Sequence, residues 1–88
     1  MNIQQAAEKE MERMKAVMKS LQILDKSKNA LHFHDFASRY FKDGIYFYDK
    51  KQFIEAFEAF IISWSYIDAG LKMGFFSVPD EQKKWFTT

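Results

Sequence analysis

The sequence predicts an all-α fold, a small bundle of three helices with a short fourth, and three observations predict it. Apolar residues recur at alternating spacings of four and three along most of the chain, the period of a helix with one buried face. The link Asp49-Lys50-Lys51-Gln52 contains no apolar residue and separates two such stripes, so the chain turns there. One Pro and three Gly among 88 residues leave little material for long loops.

The expected first helix covers about residues 3–24. Its seam is Ile3, Ala7, Met11, Met14, Met18, Leu21 and Leu24, with Glu10–Arg13 and Glu12–Lys15 at one-turn spacing between them. A Met-rich seam suits either an adaptable partner-binding surface or packing on the rest of the chain. Packing is the expectation here, because the aromatic segment downstream would otherwise present a large apolar patch. Asp25-Lys26-Ser27-Lys28-Asn29 breaks the pattern, and Ser27 or Asn29 can cap the next helix.

Two antiparallel helices, about 30–48 and 52–73, form the organising hairpin. The second helix carries Phe33, Ala37, Tyr40, Gly44 and Phe47 on one face, and the third Phe53, Phe57, Phe60, Trp64, Ile67 and Leu71. Ala37 and Gly44 are small enough to let the facing backbone come close. Leu at Gly44 is expected to disrupt that contact, and Ala to be milder or even stabilising. Gly74 ends the third helix. A short helix at about 78–85 is expected next, with Ser77 as cap and Pro79 in the first turn. Trp85 and Phe86 behind it are candidates for contact with a partner, or they close the end of the core.

Composition narrows the function. The 48% hydrophobic and 18% aromatic content supplies large side chains for one domain, residues 1–88. Thirteen basic and twelve acidic residues leave a net charge of +1, so no global field draws nucleic acid or an anionic membrane. Zero Cys removes disulfides and thiolate–zinc sites and fits a reducing compartment. The N-terminal stretch lacks the pattern of a signal peptide, and no apolar run approaches the roughly 20 residues of a membrane span. A soluble, cytoplasmic protein is expected.

No stretch has a catalytic, cofactor or metal signature. His32 and His34 are two apart, and on a helix such residues diverge instead of converging on one ion. Asp68 falls within the apolar arc of the third helix, where an unpaired carboxylate would cost several kcal/mol. The hairpin register brings it level with the start of the second helix, so its expected partners are that helix's free N–H groups, with His32, His34 or Asn29 in support.

Tyr40-x-x-Asp43-Gly44, Phe47, Phe53-x-x-Ala56-Phe57, Trp64, Ile67-Asp68-Ala69-Gly70-Leu71 and Gly74-Phe75-Phe76 together resemble an archaeal domain-of-unknown-function family, number three-five-seven. The resemblance covers about Phe36 to Phe86; the first helix is similar only in kind. It implies a short helical fold and carries over no activity or site residue. That family usually has a Gly at the hairpin turn, where this chain has Lys50-Lys51. Lys51 to Ser65 also looks like half of a tetratricopeptide hairpin, but no second copy is present to make an array. The hairpin with Ala69-Gly70-Leu71-Lys72 also looks like the small helical domains that accompany minimal nucleotidyltransferases and some toxin ribonucleases, but neither Arg13 nor Arg39 is followed by the His that those ribonucleases use.

The leading functional expectation is a non-enzymatic module that associates with itself or with another protein through an aromatic face. The alternatives are a small enzyme or metal-binding domain built on Asp68, His32, His34 and Tyr40, and a nucleic-acid accessory domain using Lys26, Lys28, Lys50, Lys51, Lys83 and Lys84.

Overall fold

The computed structural model describes residues 1–87 and is all-helical apart from one short ribbon. Its elements are α1 (Ile3–Ser20), β1 (Gln22–Ile23), α2 (Lys28–Asp49), α3 (Phe53–Lys72), β2 (Phe76–Ser77) and α4 (Asp80–Lys83). Ala7 and Met11 of α1 cluster with Ala56 and Phe60 of α3, while Met14 and Val17 cluster with Ile67. The two helices therefore run in the same direction and α2 runs against both. The longest dimension, 36 Å, is close to the length of α2 itself, about 33 Å at 1.5 Å per residue.

Each helix end has a local chemical cause. Asn2 opens α1 with a reciprocal cap: its side chain accepts from the Gln5 N–H at 2.8 Å, and the Gln5 side chain accepts from the Asn2 N–H at 3.1 Å. Ser27 caps α2 by accepting from the Ala30 N–H at 3.2 Å. At the end of α2, Lys51 takes the left-handed conformation, φ 63°. The Gln52 N–H then reaches back to the Phe47 carbonyl at 2.9 Å and the Lys51 N–H to Tyr48 at 2.9 Å, the Schellman pattern. Gly74, φ 77°, ends α3 in the same way, with Phe75 N–H on the Gly70 carbonyl at 2.8 Å.

The small residues of α2 define how close the hairpin packs. Ala30, Ala37 and Gly44, seven apart, are its buried positions. At the middle one, the Ser63 hydroxyl of α3 donates to the Ala37 carbonyl across the interface at 2.7 Å. A β-carbon on Gly44 would run into the fully buried Phe60 ring, so the ring or a helix must shift to admit it. The expectation that Ala at this position could even stabilise is therefore corrected, while Ala remains milder than Leu: one methyl already overpacks the contact.

Three boundaries differ from the sequence reading. The first helix stops at Ser20, not near residue 24. Leu21 is already extended, and Ile23 pairs with Phe76 and Gln22 with Ser77 in an antiparallel ribbon. Leu24, placed in the seam by its spacing, is 61% exposed, and its N–H bonds the Phe75 carbonyl at 2.8 Å. The last helix is a single turn, Asp80–Lys83, instead of 78–85, because Ser77 is committed to the ribbon and Pro79 takes the cap position. The buried arc of α3 is also rotated. It centres on Ala56, Phe60, Ser63, Ile67 and Gly70, while Phe53, Phe57, Trp64 and Leu71 lie at its half-buried margin, since α3 is packed by α1 as well as by α2.

Candidate interaction face

The hairpin has two sides, and α1 covers one of them. On that side Phe41 and Phe57 pack with Ala7 and Met11 of α1, and Trp64 joins the cluster of Met14 and Val17. The other side bears a groove between α2 and α3. At one end a hollow of about 270 Å³ lies among Phe33, Ile62, Ser65, Tyr66 and Ala69. Toward the hairpin turn a second, about 220 Å³, lies among Tyr40, Asp43, Phe47, Glu55, Glu58, Ala59 and Ile62. Ile62 is common to both and 39% exposed, so the two open hollows adjoin at its side chain along the α2–α3 groove.

The floor of the groove is fixed by ring packing. Phe36 stacks on Tyr66 at 5.4 Å between centroids and Tyr40 at 6.2 Å, while Phe33 meets the same ring edge-on at 5.7 Å. Three residues of α2 thus hold one Tyr of α3 in place. Each hollow is smaller than the roughly 300 Å³ at which small-molecule sites begin, and both are open along their length. A shape of this kind suits an elongated apolar ligand such as a helix. A further hollow, of about 350 Å³ beside Leu71, Phe76, Ser77 and Val78, includes Lys83, whose ammonium is already 2.8 Å from Asp80.

Asp68 is buried, 8% exposed, and does have partners, but not the expected ones. The Thr87 N–H donates to Oδ1 at 3.0 Å, the Thr87 hydroxyl lies 3.0 and 2.8 Å from Oδ1 and Oδ2, and Lys72 Nζ is 3.3 Å from Oδ2. The carboxylate holds the C-terminal tail, not the start of α2. Burial pushes its pKa up, but the Thr87 N–H, the Thr87 hydroxyl and the Lys72 ammonium outweigh that and hold the carboxyl below its usual value. No side-chain polar atom is buried without a hydrogen-bond partner among the described residues.

The residues of the enzyme or metal reading are each engaged elsewhere. His34 lies edge-on to Phe76 at 6.2 Å, His32 edge-on to Phe36 at 6.3 Å, and Tyr40 stacks on Tyr66. Among the described residues no three His, Cys, Asp or Glu side chains gather in a way that could hold a metal ion. Of the lysines of the nucleic-acid reading, Lys28 and Lys50 mark opposite ends of α2, about 33 Å apart by helix rise.

Trp85 and Phe86, offered by the sequence as partner contacts, are drawn into the fold. Phe86 is 8% exposed and stacks on Trp64 at 5.8 Å with an interplanar angle of 3°, so it belongs to the core. The Trp64 indole N–H donates to the Trp85 carbonyl at 2.8 Å, and Arg13 of α1 lies over the Trp85 ring at 5.5 Å. The groove between α2 and α3 was missed by sequence reasoning. Tyr40 and Phe47, which the spacing assigns to the packing face of α2, instead line its margin toward the groove, and the available signal was Phe36 beside them with Ile62 and Tyr66 on α3.

Fold and site together define a small all-α bundle, an up-down-up arrangement clasped by a two-stranded ribbon, with an open groove between α2 and α3. The chain belongs to the DUF357 family: the family model "Protein of unknown function (DUF357)" matches residues 4–76. That match includes the first helix and ends at Phe76, so the likeness expected over Phe36 to Phe86 extends further toward the N-terminus and less far toward the C-terminus. The crystal structure of protein AF1782 from Archaeoglobus fulgidus, of the same family, has a similar fold. The TM-score is 0.73 at 23% identity, over 88% of this chain and 93% of that one. No curated protein matches the chain. No helix among the described residues is long and apolar enough to cross a membrane.

Proposed function

We propose that this chain is a cytoplasmic, non-enzymatic interaction module that holds an apolar helix in the groove between α2 and α3, either from a protein partner or from a second copy. The observation that carries the reading is the position of Ile62, exposed at the junction of two hollows floored by Tyr40 and Tyr66 on the side that α1 leaves uncovered. Apolar surface shaped into a groove is a recurrent means of receiving a helix.

Ile62→Glu tests it, with thermal melts of both proteins to check that the fold is retained. Sedimentation across a wide concentration range and co-purification at native expression level are to be run on both proteins. The reading expects an oligomer or a retained partner with the wild type and neither with the variant. A strictly monomeric wild type that retains nothing would overturn it.

A further inference from the structure

Charge is unevenly distributed along the groove. At the hairpin-turn end the hollow carries Asp43, Glu55 and Glu58, all exposed, and none of the three is in an ion pair among the described residues. Lys50, at the same end, is drawn over the Tyr46 ring at 5.6 Å. The hollow at the other end is lined by Phe33, Ile62, Ser65, Tyr66 and Ala69 and has no charge. Arg39, which lies over Phe36, is held by Asp35 at 3.0 Å.

An occupant must therefore be apolar along its length and cationic at one end. Placing a neutral or acidic segment over three carboxylates would strip their water and return nothing for it. A second copy fits this requirement poorly. Two grooves laid together with their turn ends aligned set three carboxylates against three, and laid in opposite directions they set the carboxylates over an uncharged hollow. The exposed face of α1 alternates Glu8 and Glu12 with Lys9, Lys15 and Lys19, and offers no large apolar stripe.

We propose that the groove receives an amphipathic helix of another protein, with its apolar face on Tyr66, Ile62 and Tyr40 and Lys or Arg side chains at one end against Asp43, Glu55 and Glu58. This rests on the interaction reading above and adds the chemistry of the partner.

The test is a heteronuclear NMR titration of the full chain with three synthetic peptides of about 14 residues, roughly 21 Å as helices, sharing one Leu face. Their polar positions are filled with Lys, Glu or Gln. The Lys peptide is expected to bind about tenfold or more tightly than the Glu peptide, a difference of about 1.4 kcal/mol, with shifts confined to the outer faces of α2 and α3. Neutralising the rim with Asp43→Asn, Glu55→Gln and Glu58→Gln should remove the preference, and reversal of all three to Lys should invert it. Glu8→Lys with Glu12→Lys, on α1, should leave it unchanged. Thermal melts of each variant check that the fold is retained.

Equal binding of the three peptides would overturn the charge selection and leave the interaction reading standing. Lys-peptide binding unaffected by the rim variants would locate it elsewhere and overturn the proposal. No peptide binding together with a dimer that Ile62→Glu dissolves would make the occupant a second copy. Neither peptide binding nor a dimer would overturn both readings.

Discussion

Thr87 gives Asp68 both its backbone N–H, at 3.0 Å from Oδ1, and its hydroxyl, at 2.8 Å from Oδ2, across 19 residues of chain. One carboxylate on α3 thereby holds the C-terminal tail against the bundle, with Phe86 stacked on Trp64 just inside the contact. Asp68→Ala should lose roughly 1–3 kcal/mol by leaving the Thr87 donors unmatched, and Asp68→Asn, which retains an acceptor, less. Urea melts at neutral pH measure both.

The same carboxylate makes stability depend on acid. Its folded pKa lies below the unfolded value of about 3.9, so its contribution is complete above that value and is lost as pH falls through the folded one. Wild type should lose stability over that window, and both Asp68 variants should lack this component. Parallel pH profiles for all three proteins would show that the carboxylate is not engaged.

Gly44→Ala should destabilise by about 1–2 kcal/mol, the overpacking against Phe60 exceeding the gain of up to about 1 kcal/mol in helix propensity. Gly44→Leu should be worse. An Ala variant that melts above wild type would mean the Phe60 ring moves aside freely.

Lys51→Gly should stabilise by about 1 kcal/mol or less, because a left-handed residue with a β-carbon costs roughly 1–2 kcal/mol, part of which is offset by the extra freedom Gly gives the unfolded chain. The check is the urea midpoint at unchanged slope. A lower midpoint would show that the Lys51 side chain makes a stabilising contact at the turn.

Deletion of residues before Ser20 removes Met11, Met14 and Val17 from the core and uncovers Phe41, Phe57 and Trp64. The remaining chain should aggregate or bind hydrophobic dyes without a cooperative melt. A soluble, cooperatively folded product would separate α1 from the core.

What was legible in the sequence is what is local. The helical period, the polar turn at Lys50-Lys51 and the small residues of α2 act within a few residues of themselves, and the hairpin arises from them. The ribbon was not legible because Gln22-Ile23 and Phe76-Ser77 are too short to show an alternating pattern, and Leu21 and Leu24 continue the helical spacing across it. Asp68 was readable as a buried carboxylate with a partner. The partner itself was not, since a backbone N–H at residue 87 leaves no mark in the sequence and depends on where α4 turns the tail.

The β1–β2 ribbon has a kinetic consequence. Pairing Ile23 with Phe76 closes a loop of roughly fifty residues, an entropic cost of about 3.5 kcal/mol that two residue pairs do not meet on their own. Docking of α1 and the hairpin, which brings the strands together, is therefore expected to precede the ladder. The Leu24 amide, on an exposed residue beside the ribbon and bonded to the Phe75 carbonyl, should exchange with solvent ahead of the amides inside α2 and α3.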